Sequence, residues 1–132
     1  MESIIENNEQ TNFDNQINQV DRKLMEILLQ IGIPANLQGY QFLKESIKLV
    51  IENPVYINAV TKRMYPKVAN TFNTTACRVE RAIRHALEVA YNKGKMKNIN
   101  RIFGLKILAD NERPTNSEFV ALVADRLSLE FC

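Results

Sequence analysis

The sequence predicts an all-α fold of about six helices around one core, containing a helix-turn-helix. Three observations carry that expectation. Apolar residues recur at steps of three and four along most of the chain. No stretch alternates with the period of two that a half-buried strand requires. Breakers separate the periodic runs: Gly32 with Pro34, Asn53 with Pro54, Asn73, Gly104 and Pro114. The chain has 132 residues, which fits one domain of the usual ~100–150 residues plus a tail.

Residues 1–16 are rich in Asn, Gln and Glu without a sustained period, and read as a flexible tail or interdomain linker. Met1 before such a segment leaves open a piece of a longer protein. The folded domain is expected over 17–132. Its first helix carries Ile17, Val20, Leu24, Ile27, Leu28 and Ile31, and Gly32 is its expected C-cap. Ile33-Pro34 forces an extended step. A second helix is expected over 37–51, with Tyr40, Leu43, Ile47, Val50 and Ile51 facing inward, and a short third one opens near Val55 to Asn58. Two further helices are expected over 60–72 and 75–93, with a very short break at Asn73-Thr74. A short helix over 97–103 stops at Gly104. Leu105 to Leu108 is an apolar run of undecided type, and Asp110 to Pro114 is a loop. Thr115 with Glu118 three residues on has the spacing of a capping box. The helix it starts carries Phe119, Leu122, Val123, Leu127 and Leu129.

Composition narrows the function classes. No apolar stretch approaches the ~20 residues of a membrane-spanning helix. The first residues lack the basic start and long apolar run of a signal peptide. Only Cys77 and Cys132 are present, too few for a disulfide framework or a metal quartet, which points to a reducing cytosol and a cytoplasmic protein. His85 is the single histidine, so no catalytic His pair and no zinc site of several His can be built. No metal and no cofactor is expected.

Charge is unevenly placed. Residues 1–21 hold five acids and no base, while residues 61–106 hold eleven bases against two acids, Glu80 and Glu88, a net of +9. Such a block suits a surface that faces a polyanion. A solvated lysine-rich face accounts for the same count.

The stretch from Tyr65 to Arg84 meets the needs of a helix-turn-helix. Ala69 is small where the second helix crosses the first. Asn73 tolerates positive φ better than other non-glycine residues. Val79, ten residues after Ala69, packs back on the first helix, and Thr74 or Thr75 can cap the second. At ~100° per residue, Val79, Ile83, Ala86 and Ala90 share one face of that second helix. Arg81, Arg84, His85, Glu88 and Asn92 take the other, with Cys77 and Arg78. A recognition helix presents such residues to base edges from its N-terminal half. Arg can donate a bidentate pair to guanine, and Glu can accept from cytosine. The pair Glu80 and Arg84, four apart, can equally be a surface ion pair worth tenths of a kcal/mol. Lys93, Lys95 and Lys97, with Lys62, Arg63 and Lys67, flank the two helices as candidate phosphate contacts or as plain solvated charge.

Three blocks resemble a known family. The run from Phe72 to Ala86, the run from Pro114 to Asp125, and Ile33-Pro34-Ala35 followed by Gly39-Tyr40 resemble the DNA-binding effector domain of the master sporulation response regulator of endospore-forming Firmicutes (the Spo-zero-A family). The resemblance covers about residues 20–130. It implies a six-helix effector domain that activates some sporulation genes and represses others. It implies a receiver domain N-terminal to the effector, for which this chain has no room. It implies Glu80, Arg81 and Arg84 as base readers and Arg78 and His85 as backbone contacts, to which Thr75, Lys62, Lys67, Lys93 and Lys95 are added here. The family has Ser where this chain has Cys77. The resemblance further implies a box similar to TGTCGAA, bound as a tandem head-to-tail dimer, and an RNA polymerase sigma-factor contact near Asn98, Ile99, Arg101 and Phe103. The helix from Phe119 to Leu129 is a place for part of the contact between copies, or simply a core helix.

Two rival classes stand beside double-stranded DNA binding. A basic protein-interaction module would dock an acidic partner without preference among DNA sequences. An enzyme would need chemistry for which the chain shows no paired-carboxylate motif, Gly-rich phosphate loop or metal spacing.

Overall fold

The computed structural model describes residues 19–131, and all its regular elements are helical. The expected tail at 1–16 and the start of the first helix at Ile17 lie outside the described residues. Helix α1 occupies 19–30. Leu24, Ile27, Leu28 and Ile31 are fully buried, as the three-four spacing requires. It ends at Gly32, at φ 93°, where Ile33 N–H donates to Leu28 O at 2.9 Å and Gly32 N–H to Leu29 O at 3.0 Å. This paired closure is a Schellman motif.

Helix α2 (Gln38–Glu52) runs through the middle of the domain and packs against the fourth and sixth helices. It is buried on Tyr40, Phe42, Leu43, Ile47, Leu49 and Val50, a wider stripe than a surface helix carries. Asp21 of α1 ties the two helices together through Lys48 at 2.7 Å and Lys44 at 3.2 Å. A 3-10 turn follows at Pro54–Asn58, where the Asn53 side chain accepts from Val55 N–H.

The single helix expected over 60–72 is two pieces. Val60–Met64 is a wide π turn, and α3 is Tyr65–Thr71. Pro66 is the physical reason. It has no N–H to give the carbonyl four residues earlier, and its ring would collide there. The backbone widens instead, with Met64 N–H reaching back to Ala59 O at 3.1 Å.

Helix α4 (Ala76–Lys93) and the short α5 (Asn98–Phe103) follow as expected. The apolar run after Gly104 is not regular structure. Asn100 holds it, its Oδ1 accepting from Ile107 and Leu108 N–H at 2.8 and 2.9 Å and its Nδ2 donating to Leu108 O.

Helix α6 is Asn116–Phe131. Thr115 Oγ1 accepts from Glu118 N–H at 3.2 Å, and the Glu118 carboxylate returns to the Thr115 hydroxyl at 2.9 Å. The capping spacing therefore works, with its second arm on the side chain rather than on the backbone. Phe119, Val120, Val123, Ala124 and Leu127 are buried. Leu129, expected among them, is 69% exposed. It lies two residues past Leu127, about 200° around the helix, so both cannot face one core.

Candidate nucleic-acid interface

Helices α3 and α4 meet across a turn of four residues, Phe72 to Thr75. Asn73 adopts φ 54°, the left-handed conformation expected of it. Thr74 N–H donates to Ala69 O at 2.9 Å, which closes the turn onto α3. Thr75 caps α4, its hydroxyl accepting from Arg78 N–H at 3.2 Å. Ala69 and Val79 are both buried at the crossing. Phe42 of α2 meets Phe72 edge-on, with ring centroids 5.3 Å apart.

On the far flank, α2 lies against α4 so closely that a Cβ at Gly39 would stand 2.2 Å from Ala82 O and 2.7 Å from the Ala86 Cβ. Only a glycine admits that approach. The inward face of α4 is Val79, Ile83, Ala86, Leu87 and Ala90.

The outward face divides in two. Along one edge Arg78, Arg81 and His85 are exposed, and neither arginine has a salt bridge among the described residues. Along the other edge Arg84 Nη2 stands 3.5 Å from Glu80 Oε2, the ion pair that the four-residue spacing allows. The sequence placed Arg78, Arg81, Arg84 and His85 on one face. The structure separates a free cationic edge from a paired one. Cys77 is exposed in the first turn of α4.

The paired edge opens on a groove of about 520 Å³ between α4, the π turn and the start of α6. Here lie contacts that sequence reasoning missed. Asn116 Nδ2 donates to Tyr65 Oη and to Glu80 O, each at 3.2 Å. Burial pushes the Tyr65 hydroxyl above its usual range, although the Asn116 bond opposes this. Tyr91 donates from its hydroxyl to Pro114 O, and burial pushes that hydroxyl up to about 12. The Arg113 guanidinium lies 5.2 Å from the Tyr91 ring centroid. The run Pro114-Thr115-Asn116 was visible in the sequence, but only as a cap for α6.

The candidate phosphate lysines occupy different settings. Lys62 and Lys67 are exposed on the π turn and α3, and Lys95 is exposed beyond Gly94. Lys93 donates from Nζ to Gly32 O at 3.0 Å, so its ammonium serves the end of α1. The residues expected at a sigma-factor contact also divide. Ile99 is fully buried and presents no surface to a partner; it holds α5 to the core. Asn98 donates to Gln30 O at 2.7 Å, Phe103 is half-buried, and Arg101 is exposed with Nη2 3.5 Å from Gln30 Oε1. Among the described residues no group of three or more His, Cys, Asp or Glu is placed to hold a metal ion. None of the described helices is long and apolar enough to cross a membrane.

Two crossed helices joined by an Asn turn, the second with arginines on its solvent face, make this a helix-turn-helix domain. A family model, described as Sporulation initiation factor Spo0A C terminal, matches residues 24–127. The chain belongs to that family and is a DNA-binding domain of a sporulation regulator.

Proposed function

We propose that α4 enters the major groove of a TGTCGAA-like box and reads it with Arg81, Arg84 and Glu80. The observation that carries this reading is the exposed arginine face of α4 behind a closed helix-turn-helix, in a chain of this family. Arg81 is exposed on the free edge of that face and would donate both hydrogen bonds of its fork to one guanine. Glu80 and Arg84 would act as a unit, the ion pair holding each side chain in reach of an adjacent base. Arg78, His85, Thr75, Lys62, Lys67 and Lys95 would position the helix through phosphate contacts, and Lys93 would add charge while its ammonium stays on Gly32. Arg101, Asn98 and the edge of Phe103 would present α5 to the RNA polymerase sigma factor. Copies would bind in tandem, head to tail, with a receiver domain preceding the effector in the full-length regulator.

The test is fluorescence anisotropy with a labelled duplex carrying the box beside a scrambled duplex, over a salt series. The expected result is a preference for the box that persists as salt rises. Equal binding that collapses with salt would leave only a basic surface and favour docking of an acidic protein.

A further inference from the structure

We infer that Asn116, from the start of α6, is a positioning residue for base recognition. It clamps the two helices of the helix-turn-helix to each other and fixes the rotation of α4. This inference rests on the box-reading role of α4 proposed above.

The Asn116 amide touches one atom of each helix, Tyr65 Oη on α3 and Glu80 O on α4. Both hydrogens of its NH₂ group are thereby used. Turning the amide over would set two oxygens against each other at Glu80, because a carbonyl can only accept, so the orientation is fixed chemically. Glu80 is itself a proposed reader, and its carbonyl lies one residue before Arg81. The clamp therefore acts on the turn of α4 that carries the readers, not on a distant part of the helix.

The need for a clamp follows from where the other support lies. Helix α2 meets α4 at Gly39, against Ala82 and Ala86. Glu80 and Ala82 are about 200° apart around the helix axis, so α2 and Asn116 grip α4 on opposite flanks. The packing of α2 on α4, and of α3 on α4 at Ala69 and Val79, is apolar and non-directional, so it holds the helices together without fixing the rotation of α4 as a directed hydrogen bond does. A roll of about 10° moves a side-chain tip ~6 Å from the axis by about 1 Å, twice the ~0.5 Å tolerance of a built recognition site. Asn116 is in turn held in place. Thr115 caps α6 beside it, and Tyr91 hydrogen-bonds Pro114 two residues before it.

The experiment compares box and scrambled duplexes for the wild type, Asn116→Ala and Tyr65→Phe, with the salt slope of each. Asn116→Ala removes both bonds. Tyr65→Phe removes one acceptor, keeps the ring in the core, and serves if the first variant folds poorly. The expected result is that Asn116→Ala lowers the ratio of box to scrambled affinity about three- to tenfold, the value of one or two hydrogen bonds, with an unchanged salt slope. Tyr65→Phe should lower it less. A merely structural role would reduce the folded fraction and weaken both duplexes equally, leaving the ratio where it was. That result, or a ratio unchanged in both variants, would overturn the inference while leaving the reading of α4 intact. A wild type without box preference would instead overturn the reading, and the inference with it.

Discussion

At the N-terminal end of α4, Arg78 and Arg81 project into solvent without a salt bridge among the described residues. At the C-terminal end, Lys93 bends back to Gly32 O, and Tyr91 is latched to Pro114. Both ends belong to the same strongly basic stretch of sequence. The comparison teaches that positive charge in a sequence is not uniformly available to a polyanion. One end spends its cations outward, and the other spends a cation on holding α1 in place. The difference comes from tertiary packing, because the carbonyl that takes the Lys93 ammonium lies 61 residues away in the chain.

The largest effect should erase the comparison by moving both ends together. Gly39→Ala sets a methyl into Ala82 O and the Ala86 Cβ. Urea denaturation should show a loss of about 1–3 kcal/mol, the usual cost of overpacking a core. An unchanged midpoint would mean that α2 and α4 are not closely seated.

Arg81→Ala tests the outward end alone. Binding to the box should weaken by ~1–3 kcal/mol, with much less loss on a scrambled duplex. Equal losses on the two duplexes would move Arg81 from the bases to the backbone.

Paired lysine variants compare the exposed basic segment after α4 with the end that is spent internally. Lys95→Ala should weaken both duplexes alike and reduce the salt slope by about one. Lys93→Ala should change the slope less and instead lower folding stability by under ~1 kcal/mol, through loss of the bond to Gly32. The reverse pattern would assign the two lysines the opposite way.

The smallest effect lies away from α4 and serves as a control. Burial pulls the Asp21 carboxyl upward, but Lys48 and Lys44 together hold it below its usual range. A carboxyl depressed in the fold stabilises it above the unfolded value, near 3.8, and that contribution is lost as pH falls through the folded value. The three groups are partly solvated, so only tenths of a kcal/mol are involved. Acid titration of Asp21→Asn beside the wild type should show the wild-type advantage begin to shrink below about pH 4 and disappear once the pH has fallen through the folded value. Box affinity at neutral pH should be the same for both.

What the sequence disclosed was local. The three-four spacing marked the buried faces of α1 and α4. Asn73 revealed the turn, and the pair Thr74-Thr75 revealed a cap that the structure assigns to Thr75, because these conformations depend on local side chains. What stayed hidden needed a partner from elsewhere in the chain. The seat of Gly39 on α4, the Lys93 bond to Gly32 and the reach of Asn116 to Tyr65 and Glu80 all join residues more than 35 positions apart. Spacing within one helix carries no trace of them. The π turn before α3 was different. Pro66 stands in plain view, but the helical periodicity runs straight across it and masks the missing N–H. Of the residues proposed at the site, Arg81 and Arg84 were legible from a helical wheel, and Glu80 came with the family resemblance. The Glu80–Arg84 pair followed from its four-residue spacing, whereas the bond from Asn116 to the Glu80 carbonyl required the start of α6 to be in place.

The central claim is that the exposed face of α4 reads base edges in the major groove. It is tested most directly by boxes in which each guanine in turn is replaced by 7-deazaguanine, which removes the N7 acceptor and leaves the pairing edge alone. The account predicts that at least one replacement weakens wild-type binding by about tenfold. It also predicts that Arg81→Ala or Arg84→Ala no longer responds to that replacement. Wild-type binding equally tight to every substituted box would contradict it.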